Sequence, residues 1–475
     1  MSESVNYSAG SKLQQNSALI FIAGLVCAMG YVSLKEDGPG MLFYVGGFIA
    51  AFFFFMSGLH KGLFKREVAT YFLVAYLPFS KQIPVDFGNV IPGLNLTNLS
   101  ILFVAWLWFK SRDKSQPLLA KTQLNIPIAI FLGLSVFSVV RGAEYGMGYL
   151  ADAVIEYYRI WVIPFFLYFF IVSGNHEARV LKNIVIIISG VTTMIALMAS
   201  YDYLNIDDRV GGVFDQPNHL AAFFNYYIYL LFAFFLVYPK GRWKFLIPFL
   251  ICFRGIMVTF SRAGYLAFAV GMYSIVCFRS RILMVLLLMT TIFIYFNPAL
   301  LPEGIRYRMA QTFEKQKTQT VQPGEEFSVE TLEASAAERI KVWEGAKAMI
   351  REHPLFGVGY RNFEKKILHY WTGRKSHDPH NAHFLIATEM GIPALLAFYL
   401  ILWRIFWSSR KLYKISTDPF IQSVGLGMLG GIPSLLVSNL YGSRLSYIEV
   451  TSFFWILSGI VMRWKMSEEE RLKNA

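Results

Sequence analysis

The sequence predicts an all-α membrane protein: a polytopic bundle of about 12–14 transmembrane helices with one large loop on its outer face. Three observations predict it. Hydrophobic residues fill 55% of the 475 positions and charged residues only 16%, against roughly 25% charged in ordinary soluble domains. The apolar residues gather in runs close to the roughly 17–25 residues that a spanning helix needs. Basic residues sit in the short links between runs, alternately rich and poor along the chain.

The runs lie near 17–34, 41–58, 68–82, 97–109, 124–140, 150–173, 180–202, 218–238, 244–260, 262–278, 282–299, 383–403, 419–440 and 446–462. Cytoplasmic links carry an excess of Lys and Arg. With the amino terminus placed in the cytoplasm, the inner links hold Lys61, Lys65 and Arg66; Lys110, Arg112, Lys114 and Lys121; Arg179 and Lys182; Lys240, Arg242 and Lys244; Arg279 and Arg281; and Arg404, Arg410, Lys411 and Lys414. The tail adds Arg463, Lys465, Arg471 and Lys473. The outer links hold about one basic residue each. A miscount by one helix inverts this bias downstream of the error, and it never inverts. Both termini are therefore expected in the cytoplasm. A net charge of +13 suggests nucleic acid in a soluble protein; here topology control is the simpler reading, and no nucleic-acid partner is expected.

Three regions follow: residues 1–299 with helices 1–11, residues 300–382 as the large outer loop with amphipathic helices, and residues 383–475 with helices 12–14 and the tail. Within the loop, Phe313 to Ala337 is polar and reads as mobile. Ala337 to Ile350 reads as an amphipathic helix with Ile340, Trp343 and Ile350 on one face. It ends before His353-Pro354, because the residue before proline avoids helical geometry. Phe356-Gly-Val-Gly-Tyr360 is then a turn. Cys27, Cys252 and Cys277 all fall in apolar runs with no paired or metal spacing, and read as small core hydrophobes. Met1 to Gln15 is polar and no small-residue cleavage site follows the first run, so that run is expected as an uncleaved helix.

Outward-facing arginines depart from the charge rule: Arg141, Arg209, Arg262 and Arg444 each occupy a short outer link. Arg159 is stranger, about nine residues into its helix and so roughly 13 Å deep at 1.5 Å per residue. A charge at that depth faces the bundle interior or a wet cavity. It reads either as a structural pair with Glu156 or as a guanidinium aimed at an anionic substrate, whose phosphate oxygens a planar fork binds two at a time.

Five of the eight histidines lie in the outer loop or at its end: His353, His369, His377, His380 and His383. Three share the heptapeptide His377-Asp-Pro-His-Asn-Ala-His383. A zinc site from His377, Asp378, His380 and His383 is one reading, although Pro379 breaks the helix that such spacing wants. Solvated imidazoles at the interface are a second. A general base at the membrane surface is the third, since histidine titrates near neutral pH.

Asp378-Pro-His-Asn-Ala-His-Phe-Leu-Ile-Ala-Thr-Glu-Met-Gly-Ile-Pro393 resembles the segment closing the large periplasmic loop of the O-antigen ligase and O-antigen polymerase superfamily. Glu338-Arg-Ile-Lys-Val-Trp343, His353-Pro-Leu-Phe-Gly-Val-Gly359 and Asn362-Phe363 are similar to that family as well. So are Arg209 to Asn218, Thr259-Phe-Ser-Arg262 and, more faintly, Asn95-Leu-Thr-Asn98, all in family order. The resemblance implies a GT-C-like glycosyltransferase of the bacterial inner membrane with its active site facing the periplasm. It implies an inverting, metal-independent reaction without cofactor. The donor is a glycan on undecaprenyl diphosphate. The acceptor is lipid A-core for a ligase, or a second lipid-linked repeat unit for a polymerase; transfer to protein hydroxyls is a third form. By that resemblance His380 deprotonates the acceptor, and Arg209 and Arg262 serve the reaction at the diphosphate. Arg339, Arg159, Asn218, Asn381 and His383 complete the expected substrate contacts. His377 and His383 exceed the family pattern, as does a count near fourteen helices. A solute transporter is the rival of different class. Transporters gather ionisable groups near the membrane midplane, whereas the polar groups here gather at one face.

Overall fold

The computed structural model describes residues 67–82, 95–112, 117–141, 146–174, 176–206, 209–300, 332–371 and 378–474, with positions 114, 115, 144 and 306 between them. The two expected helices at 17–34 and 41–58, the segment 313–331, Cys27 and His377 lie outside the described residues. Each of the other twelve apolar runs falls on helix.

In chain order these are α1 (Glu67–Tyr76), α2 (Leu96–Ser111), α3 (Asn125–Arg141), α4 (Met147–Tyr157), α5 (Ile163–Ser173), α6 (Ala178–Ile206), α7 (Pro217–Val237), α8 (Trp243–Met257), α9 (Arg262–Arg279) and α10 (Arg281–Phe296). After the loop come α11 (Leu332–Glu352), α12 (Phe363–Tyr370), α13 (Ala382–Met390), α14 (Ile392–Ile415), α15 (Pro419–Leu440) and α16 (Ile448–Lys473). Among the described residues, five helical stretches are long and apolar enough to cross a membrane: α4 through α5, α6, α7, α14 and α15. The chain is thus a polytopic helix bundle.

α7 is the hub, and it packs on α15, α8, α9, α6 and α16. Lipid tails give helices no hydrophobic reason to associate, so small residues that admit a close approach drive the contact. α15 supplies them. A methyl group on Gly427 would stand 2.9 Å from the Leu230 backbone, and one on Gly431 would stand 2.6 Å from the Tyr226 carbonyl. Buried tyrosine hydroxyls are satisfied across the same seams. Tyr229 donates to Phe268 O at 3.0 Å, and Tyr227 donates to Val450 O at 2.6 Å. α10 buries no residue and turns an apolar surface outward on nearly every side, as a lipid-facing rim helix does.

α4 and α5 form one rod joined by a π-helical turn, Tyr158–Val162. Pro164 lacks the N–H that an α-helix needs there, and a wider turn accommodates the gap. Arg159 sits in this turn.

The helix expected over 383–403 is two helices. Gly391 breaks it at φ 91°, a left-handed backbone region where a side chain would strike the Leu355 carbonyl. Pro393 follows, inside the first turn of α14. The spanning segment therefore starts at Ile392, and α13 packs with α11 and α12 in the outer layer. That layer has its own small core of Val342, Ala346, Met349, Val358, Phe363 and Ile367. The buried face of α11 is thus Val342, Ala346 and Met349, while Ile340, expected to face inward, is exposed. The pairing with Phe363 and Ile367 selects that face; periodicity alone favoured its neighbour. Cys252 is buried as expected, but Cys277 is exposed on α9.

The links expected outside and those expected inside fall at opposite ends of the bundle. Gln82 reaches Asp215, Asn218 reaches Ser261, and Arg141 reaches Gly357 at one end, the one expected outside. Lys182 meets Asp418 and Lys411 meets Glu469 at the other. The charge bias assigns the Lys182 end to the cytoplasm. In a chain whose three native cysteines are replaced by alanine, Arg351→Cys should react with an impermeant maleimide in intact cells, and Lys240→Cys only after permeabilisation. Reaction of both from the same side contradicts the assignment.

Candidate active site

Every left-handed non-glycine residue in the described chain lies in an outer link or the outer layer: Asp215 (φ 55°), Phe260 (47°), Arg361 (61°) and His380 (49°). Such conformations cost about 1–3 kcal/mol each and persist where surrounding contacts over-determine them. The contacts are visible at all four.

Phe260 turns the α8–α9 link. Val210 N–H bonds Val258 O at 3.2 Å, and the Arg209 Nε–H bonds Thr259 O at 3.2 Å, pinning the Arg209 strand to this link. Ser261 caps α9 by accepting from Gly264 N–H, and its hydroxyl donates to Asn218 Oδ1 at 2.8 Å. Arg262 follows as the first residue of α9. The Asn218 carbonyl in turn accepts from Arg444 Nε at 3.0 Å. Asn218 therefore ties together the links that carry Arg262 and Arg444. Asp215 is fixed by Lys81 at 3.0 Å and by Gln82 at 3.0 Å.

Arg444 is 3% exposed and bonds the carbonyls of Ser438 and Tyr441, where α15 ends. A cation at a helix C-terminus satisfies the last carbonyls. Burial pulls its guanidinium down to about 10, and the nearby Arg339 pushes the same way, yet it stays charged at neutral pH. Arg141 likewise bonds the Gly357 carbonyl. Two of the four anomalous outer arginines thus hold the fold, and Arg209 does so in part.

His380 stands on a braced turn. Its N–H bonds Asp378 Oδ1 at 2.5 Å, and its Nδ1 lies 3.4 Å from the same oxygen. The preceding Pro379 carbonyl accepts from Trp343 Nε1 at 2.8 Å. Asn381 caps α13 by accepting from His383 and Phe384 N–H, so its side-chain oxygen serves the helix rather than a substrate. The His380 side chain itself is 56% exposed, and its Nε2 has no partner among the described residues. A carboxylate beside Nδ1 orients the ring and leaves Nε2 facing outward.

His383 does not share this surface. Only 7% of it is exposed; Nε2 bonds Leu436 O at 3.1 Å and Nδ1 accepts from Tyr399 OH at 3.0 Å. Both nitrogens are used inside the bundle. That corrects the expected substrate contact and removes His383 from any zinc set with His380 and Asp378, because the side chain follows α13 inward.

The remaining arginines approach from α4–α5 and α11. Arg159 is 60% exposed and only 3.8 Å from Glu156, which is held more tightly by Arg361 at 2.5 Å. The expected Glu156–Arg159 pair exists but is the weaker half of a shared carboxylate. Arg159 lies within electrostatic reach of Tyr447 and Glu449, and Arg339 and Asp378 within reach of Arg444. Electrostatic reach thus links Arg159, Tyr447, Glu449, Arg339, Asp378 and Arg444 at this end of the bundle, and hydrogen bonds through Asn218 and Thr259 tie the links that carry Arg209 and Arg262 to Arg444.

Glu389 explains how the outer layer is held, and no sequence reading singled it out. Its backbone carbonyl accepts from Ser138 OH at 2.6 Å and from Gly359 N–H at 3.1 Å. Its buried carboxyl accepts from Phe363 N–H at 3.3 Å. Val358 N–H to Thr388 O at 2.8 Å and Ile392 N–H to Pro354 O at 2.8 Å complete an interlock between residues 354–363 and 388–392. Gly357, at φ 62°, lies against the Glu389 backbone where no side chain fits. The signal was the acidic-x-Gly turn itself, a carboxylate two residues before a helix-breaking glycine.

Residues 247–399, which are 153 of the 475, match the sequence model of a family described as O-Antigen ligase. The match contains Arg262, Arg339, His380 and Glu389. No curated protein matches the chain.

Burial pushes the Glu389 carboxyl from its ordinary 4.5 up to about 8, with Glu156 adding to the rise. A folded-state value above the unfolded one gives stability that is complete below the unfolded value and lost as pH rises through the folded one. The melting temperature of the purified protein should therefore fall as pH is raised from 4.5 towards 8, and Glu389→Gln should flatten that fall. An identical pH dependence in the variant contradicts the assignment.

Proposed function

We propose that this chain, whose residues 247–399 match the family model described as O-Antigen ligase, is a membrane glycosyltransferase that moves a glycan from undecaprenyl diphosphate to an acceptor hydroxyl at the outer face. The observation that carries this reading is the pairing of an exposed, Asp378-braced His380 with fixed guanidinium groups at one end of the bundle.

In this reading His380 Nε2 takes the proton of the acceptor hydroxyl. The freed oxygen attacks the anomeric carbon from the side opposite the diphosphate. The new C–O bond forms as the bond to the diphosphate oxygen breaks, so configuration inverts and the electron pair leaves on the diphosphate. Arg262 and Arg209 face that developing charge, with Arg159 and Arg339 beside it. Preorganised donors in a water-poor site stabilise a leaving group without reorganisation at the moment of reaction. General-base assistance is typically worth about 10² to 10⁴ in rate. The polyprenyl chain lies along the apolar exterior of the bundle.

Concentration of polar groups at one end supports an interfacial enzyme over a transporter, which gathers them at mid-depth. Transfer to lipid A-core is the reading adopted for the acceptor, which makes the protein a ligase. A deletion strain should then accumulate long lipid-linked chains; single lipid-linked repeat units would assign a polymerase, and unglycosylated protein acceptors a protein glycosyltransferase.

At equal expression, Arg262→Lys should lose most transfer activity although charge is kept, because one ammonium cannot replace a bidentate fork. His380→Ala should fall by about 10² or more, while EDTA leaves the wild-type rate nearly unchanged. Near-normal rates in both variants, or loss of activity to EDTA restored by zinc, contradict the proposal.

A further inference from the structure

Three polar side chains at this end of the bundle neither hold the fold nor enter the proposed chemistry: His219, Tyr447 and Glu449. The His219 and Tyr447 rings lie 4.0 Å apart between centroids with an interplanar angle of 44°. Both are half-buried, as is Glu449. Among the described residues, the Tyr447 hydroxyl and the His219 nitrogens bond to nothing, and the Glu449 carboxylate bonds only its own N–H. Half-buried polar groups of this kind remain open to water, which a ligand can displace. Convergent unpaired ones beside an apolar surface mark a place where a ligand completes the bonding.

Position says which part of a ligand. His219 follows Asn218, which ties the Arg262 and Arg444 links together, and Tyr447 stands three residues after Arg444. Asp378, the brace of His380, and Arg159 lie within electrostatic reach of the Tyr447 hydroxyl. A group resting here is therefore within reach both of Arg444 and Arg159 and of Asp378, the brace of His380. In a displacement reaction, that place belongs to the sugar being transferred.

We infer that Tyr447, backed by the His219 ring, forms an aromatic platform for the sugar ring that bears the diphosphate, and that Glu449 accepts hydrogen bonds from its hydroxyls. A pyranose has an apolar face of C–H groups that lies flat on aromatic rings, and a carboxylate bridges two neighbouring hydroxyls. This subsite rests on the glycosyl-transfer reading, and it makes Tyr447 and Glu449 specificity-determining residues.

The test is binding of two probes to the full chain in lipid nanodiscs: undecaprenyl diphosphate, and the same lipid diphosphate carrying one N-acetylglucosamine. Tyr447→Ala and Glu449→Gln should each weaken the sugar-bearing probe roughly tenfold and leave the bare lipid unchanged. Tyr447→Phe keeps the ring and should retain most of the preference for the sugar-bearing probe. Equal weakening of both probes by Tyr447→Ala, no weakening by either Tyr447→Ala or Glu449→Gln, or a Tyr447→Phe as poor as Tyr447→Ala overturns the platform. Arg262→Gln should weaken both probes alike; unchanged binding of both in that variant counts against the glycosyl-transfer reading instead.

Discussion

The interlock between residues 354–363 and 388–392 is the constraint on which the outer face depends. A spanning helix that ran unbroken from His383 to Trp403 would carry α13 down into the bilayer, away from the loop. Gly391 ends it, and the Pro354, Val358 and Gly359 backbone bonds hold the two sides of the break together. Glu389 closes the joint by giving its carbonyl to Ser138 and Gly359 and its carboxyl to Phe363. The nine residues of α13 then form a short rod, clamped at Glu389 and capped at Asn381. His380 is placed by that rod, by Trp343 and by Asp378.

The bundle below supplies the other half. Glycines on α15 let it lie close against α7, and Arg444 seals the end of α15 while bonding the Asn218 carbonyl. The same asparagine holds Ser261, the cap of α9, so Arg262 is fixed by a helix terminus rather than by its own flexible side chain. Backbone strain gathers at these joints: the four left-handed non-glycine residues stand at the turns that aim Arg209, Arg262, Arg361 and His380. Positioning on rigid elements is what electrostatic stabilisation of a leaving group requires.

Membrane class and helix placement were legible because the signals are additive over many residues. Apolar runs located the described helices of the bundle, though not α11 and α12, and Lys and Arg separated the links into the two ends the structure displays. The Asn381 cap and the end of α11 near His353-Pro354 followed from local chemistry. What escaped was decided by contacts between segments distant in sequence. Periodicity put Ile340 on the inner face of α11, but Phe363 and Ile367 pack against Val342, Ala346 and Met349 instead. His383 looked like a surface histidine beside His380, and only the approach of Leu436 and Tyr399 makes it an interior one. Arg444 departed from the charge rule, and its partners are carbonyls that a sequence does not place near it. Asp378 was weighed as a metal ligand, and its carboxylate accepts from the His380 backbone N–H and lies beside the His380 ring.

Separate roles for base and guanidinium groups are the central claim, and chemical rescue tests it most directly. With His380→Ala in proteoliposomes containing the lipid-linked donor, added imidazole should restore part of the transfer rate. The restoration should grow with pH as the free base forms, and imidazole should leave Arg262→Ala inactive. Failure of imidazole to restore a correctly folded His380→Ala protein, or equal restoration of both variants, would contradict the account.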